Sequence, residues 1–81
     1  MKLWLISQNK NNGYDTYDSA VVAAETEAEA RLIHPSGDEW DGKSDGIYDS
    51  WVDATEVAVY LIGEAIEGQK AGVICASFNA G

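Results

Sequence analysis

Ser19–Pro35 reads SAVVAAETEAEARLIHP, and this stretch decides the fold. Ser19–Ala24 is a short run of small and β-branched residues of strand length. Thr26 follows, three residues before Glu29, the spacing of a capping box. In that arrangement the Thr26 hydroxyl accepts the Glu29 amide and the Glu29 carboxylate returns to the Thr26 amide. Glu27 and Glu29 place negative charge in the first turn, where the helix dipole favours it. Ala28, Ala30, Arg31 and Leu32 propagate a helix, and Pro35 ends it by pushing the preceding residue out of helical geometry. The expected helix runs from Glu27 to Ile33 or His34. About two turns cannot persist alone in water, so the helix must dock on a sheet.

Three more segments supply that sheet. Lys2–Ser7 (KLWLIS), Glu56–Ile62 (EVAVYLI) and Gly72–Asn79 (GVICASFN) are apolar runs of strand length. Gln8–Gly13 is a polar turn in which Asn and Gly accept left-handed backbone. Tyr14–Asp18 leads into the second strand, with one tyrosine expected to cap the core and an aspartate to make a turn bond. The order β-β-α-β-β gives an α+β fold, a small four-stranded and mostly antiparallel sheet carrying one short helix. The whole of 1–81 forms a single domain, with an acidic, aromatic loop at about 36–55.

Both faces of the first and third strands are apolar, unlike the one-sided alternation of a half-exposed antiparallel sheet. One short helix covers one face. The long loop, folding back through Trp40 and Trp51, is the first expectation for the second; self-association as a homodimer, or a partner, are the alternatives.

Composition narrows the function. The chain has 81 residues, with 14 Asp/Glu against 5 Lys/Arg and a formal charge of −9. That excludes direct binding of nucleic-acid phosphates, which needs clustered cations, and disfavours anionic membranes. An apolar content of 46% is too high for a disordered acidic tail. No stretch reads as a membrane span or a signal peptide. A single cysteine makes no internal disulfide.

The most distinctive segment is Asp38–Asp53, DEWDGKSDGIYDSWVD. A calcium loop starting at Asp41 would match at Asp45 and Gly46, but Lys43 and Val52 stand where oxygen ligands belong. No metal and no cofactor is expected. Cys75, mid-strand, reads as a small buried hydrophobe, and His34 as a partner of the last helix carbonyls; neither suggests catalysis, and no enzyme activity is expected. The candidate partner-binding residues are Asp38, Glu39, Trp40, Asp41, Asp45, Tyr48, Asp49, Trp51 and Asp53. Large rings supply rigid contact area, and carboxylates steer a basic protein surface during encounter. Solubility alone is the bland explanation of the same charges.

The stretches NNGYDTYDSAVVAAE (Asn11–Glu25) and GVICASFNAG (Gly72–Gly81) resemble small acidic proteins encoded by bacteriophages and prophages. The resemblance implies a product of the host cytoplasm that binds and blocks host defence machinery, and it transfers no site residue. The expected function is a phage-encoded inhibitor of a host defence or nucleic-acid-handling protein, acting by acidic-surface occlusion. The alternatives are a protein that sequesters a nucleotide-like signal, and a phage housekeeping protein with no host target.

Overall fold

A computed structural model describes residues 1–11, 13–44 and 50–79. The strands are β1 (Lys2–Ser7), β2 (Thr16–Ala24), β3 (Ala58–Glu64) and β4 (Gly72–Asn79), with the helix α1 (Glu27–Arg31) between β2 and β3. They form one antiparallel sheet in the order β3-β1-β2-β4. The α+β reading holds, and a short 3-10 turn, Ala54–Glu56, is added before β3.

The start of α1 follows the sequence closely. Thr26 is the N-cap, and its hydroxyl accepts the Glu29 amide at 3.2 Å. The return bond differs: the Glu29 carboxylate accepts the Glu25 amide, one residue earlier than expected. The helix also ends sooner, at Arg31, with Leu32 as its C-cap. Pro35 still bars the helical geometry of its predecessor, but a single turn of 3-10 type closes first, through the Ile33 amide and the Ala30 carbonyl.

Register sorts the side chains onto two faces. Trp4, Ile6, Ala20, Val22 and Ala24 share the helix side and are buried with Ala30, Trp51, Val52 and Val57. Trp51 is 1% exposed and is among the largest fully buried side chains of this core. The described parts of the acidic loop, 36–44 and 50–55, therefore lie on the face that the helix already covers. The expectation that it shields the second face through Trp40 and Trp51 is overturned. Both ends of the loop connect to elements of the helix side, so its tryptophans reach the nearer layer.

Two side chains lock this arrangement. The Arg31 guanidinium donates to the carbonyls of Ala54, at 3.2 Å, and Val57, tying the end of the loop to the helix. Gln8, 8% exposed, uses its whole amide. Its oxygen accepts the Lys10 and Asn11 amides at 2.8 Å, and its nitrogen donates to the Asn11 and Tyr17 carbonyls at 2.7 and 2.8 Å. A buried amide satisfied on all sides fixes the β1–β2 turn. At Gly42 the backbone takes φ +87°, which a side chain resists, and its carbonyl accepts the Ala54 amide at 2.8 Å.

On the opposite face, Leu3, Leu5 and Ser7 of β1 lie beside Ala23, Val21 and Ser19 of β2. Ala23 is buried, but Leu5, Val21, Ser7 and Ser19 stay partly open. Cys75 continues this face at β4 and is exposed, correcting its expected burial: β4 is an edge strand, and no described element lies over it.

Candidate functional site

The site begins where β2 meets β4. The register slips between Tyr17 and Ser19, so one extra residue, Asp18, is accommodated in β2. Such a bulge re-aims the neighbouring side chain, and Tyr17 turns to the helix side to pack against the core. Thr16, Tyr17 and Asp18 accordingly belong to β2 rather than to a turn before it. Tyr17 is the tyrosine that meets the core; Tyr14 is 79% exposed.

From Tyr17 a file of rings crosses the surface. Phe78 of β4 lies 4.7 Å from Tyr17, centroid to centroid, at 55°. His34 stands edge-on to Tyr17 at 6.1 Å and 88°. Trp40 stands edge-on to His34 at 5.4 Å and 84°. These are the tilted and T-shaped arrangements that the ring quadrupole favours. His34 Nδ1 accepts the Ser36 amide at 3.1 Å, and its ring bridges the sheet to the loop.

Trp40 is half-buried, and its indole N–H donates to the Lys43 carbonyl at 2.9 Å. Around it lies an open depression of about 700 Å³, lined by Leu32, Ile33, His34 and Trp40 together with Asp38, Glu39 and Asp41. The three carboxylates are exposed. Asp38 and Ser36 bond reciprocally, the hydroxyl donating to the carboxylate at 3.3 Å and accepting the Asp38 amide at 3.2 Å. Asp41 accepts the Lys43 amide at 3.0 Å. Short turns of this kind shape the loop and leave the charges on its outer side. The ion pairs seen among the described residues, Lys10–Glu56 and Arg31–Glu27, involve none of these acids.

The predicted residues therefore divide. Asp38, Glu39, Trp40 and Asp41 come together in one patch. Asp53 is exposed but separate, near Lys10 and Glu56, where its carboxylate accepts the Ser44 amide. Trp51 is a core residue and cannot serve as a contact anchor without unfolding the loop. Asp45, Tyr48 and Asp49 lie outside the described residues. The sequence reading missed Leu32, His34 and Phe78 as parts of this region. No local pattern marks them, since Phe78 reaches Tyr17 only through the β2–β4 pairing.

Among the described residues no group of three His, Cys, Asp or Glu is placed to hold a metal ion, and no helix is long and apolar enough to cross a membrane. No protein-family model, curated protein or solved structure matches the chain.

Proposed function

We propose that the chain is a phage-encoded, non-enzymatic binding protein of the host cytoplasm. It inhibits a host defence or nucleic-acid-handling protein by covering a basic surface with its acidic face. The observation that supports this reading is the clustering of exposed Asp38, Glu39 and Asp41 around the half-buried ring of Trp40. A Lys or Arg side chain entering the depression meets carboxylates beside aromatic and aliphatic surface. Cation–π attraction to tryptophan adds to charge pairing there. The net charge of −9 accelerates encounter with a cationic surface. The breadth of the depression suits a side chain presented by another protein better than a sequestered small molecule, which needs a cavity closing over most of its surface.

The test is titration of the protein with a Lys/Arg-rich peptide, followed by capture of partners from bacterial lysate. Combined Asp38→Lys, Glu39→Lys and Asp41→Lys substitution should abolish saturable peptide binding and partner capture while the circular dichroism spectrum is retained. Equal binding by the folded triple variant would sink the proposal.

A further inference from the structure

His34 is the one histidine of the chain, and it lines the acidic depression beside Trp40. It also closes a turn. The Gly37 amide donates to the His34 carbonyl at 2.9 Å, and the Ser36 amide donates to His34 Nδ1 at 3.1 Å. Pro35 suits the second position of such a turn, because its ring fixes φ there. The Ser36 bond requires Nδ1 to carry no proton, so the imidazole stands neutral with its proton on Nε2. Asp38, Glu39 and Asp41 of the loop line the same depression. From β2 the imidazole meets the Tyr17 ring, and from β4 Phe78 packs on Tyr17. Arg31 of α1 directs its guanidinium to the Ala54 and Val57 carbonyls, with Glu27 at 3.9 Å. The Asp18 carboxylate accepts the Asn79 amide at 2.8 Å.

We propose that His34 makes this depression a pH-dependent cation site, which takes a Lys or Arg side chain while the imidazole is neutral and releases it when the imidazole is protonated. The inference rests on the reading of the depression as the contact for a basic protein. Two effects act in the same direction. Protonation places a positive charge in the depression that the basic side chain must enter, and so offsets part of the attraction of the three carboxylates. It also turns Nδ1 from an acceptor into a donor, which then faces the Ser36 N–H donor to donor. That bond is lost, and with it one of the two bonds that close the turn ahead of Asp38. A ring that turns away from Ser36 also leaves its edge-on packing against Trp40. Imidazole changes charge between about pH 5 and 8, where carboxylates, lysines and arginines as classes do not. The coupling is reciprocal: a bound cation opposes protonation of His34 by the same factor that protonation weakens the binding.

Titration of the full chain with a Lys/Arg-rich peptide that lacks histidine, at constant ionic strength and at about pH 5.5 and pH 8, tests this. The affinity at the lower pH should be weaker by about fivefold or more. His34→Asn keeps an acceptor at the δ position and takes no proton in this range. Its affinities at the two pH values should be equal, whatever their level. A second measurement needs no substitution. The ring Hε1 signal of His34, the one imidazole of the chain, reports its titration by NMR, and saturating peptide should move that titration to lower pH. Equal wild-type affinities at the two pH values, the same loss in His34→Asn, or a His34 titration indifferent to the peptide would each overturn the proposal and leave the binding itself standing. Absence of saturable binding at about pH 8 would instead bring down the reading on which it rests, and the proposal with it.

Discussion

Trp51 shows how one residue changes meaning between sequence and structure. Among aspartates it reads as an exposed anchor; in the fold it is 1% exposed and packs within the cluster that holds Trp4, Ile6 and Ala30. Hydrophobic burial of a large ring outweighs the polarity of its sequence neighbours, since full burial of such a side chain is worth several kcal/mol. Trp51→Ala should therefore cost about 3–5 kcal/mol, visible as a large fall in the urea midpoint. A loss of less than about 1 kcal/mol would place the ring outside the core. Trp40 keeps the mixed character that the sequence suggests: its ring is partly covered, and its indole N–H is bonded within the loop.

At the scale of elements, α1 is short because its ends are decided separately. Thr26 fixes the start through a local bond, so the sequence alone places it. The end closes through a 3-10 turn between the Ile33 amide and the Ala30 carbonyl, and the last helical residue, Arg31, sends its guanidinium to the Ala54 and Val57 carbonyls, 23 and 26 residues away in sequence. No local pattern encodes such a contact. Arg31→Met keeps much of the aliphatic stem but removes both bonds. It should destabilise the fold by about 2 kcal/mol, the range for charged hydrogen bonds left without a donor. It should also raise the rate of proteolysis in the 36–44 segment relative to the rest of the chain. An unchanged urea midpoint and unchanged cleavage would show that the loop is held by its apolar contacts alone. The bulge at Asp18 is a similar case, because it exists only where β2 pairs with β4 and turns Tyr17 towards His34.

At the scale of the whole molecule, the charge of −9 bears on stability as well as on the proposed basic partner. Fourteen carboxylates against five cations repel one another in the compact state. Raising sodium chloride from about 20 to 500 mM shortens the screening length severalfold. It should lift the melting temperature by about 5 °C, equivalent to roughly 1 kcal/mol in a domain of this size. A melting temperature that falls with salt would mean that the scattered ion pairs matter more than the net repulsion.

The sequence by itself determined the strand and helix inventory, the helix start and the acidity of the loop. Each of these follows from residue type, spacing or composition within a short window. Apolar runs specify strands, a hydroxyl at the right offset caps a helix, and a charge count needs no coordinates. The sequence also revealed that the sheet is apolar on both sides. Only the tertiary structure decided which side the loop covers, because that depends on where Trp51 and Arg31 find partners far along the chain. The same long-range pairing assembled Phe78, Tyr17, His34 and Trp40 into one file and left the row of Tyr60, Leu5, Val21 and Cys75 open on the other side.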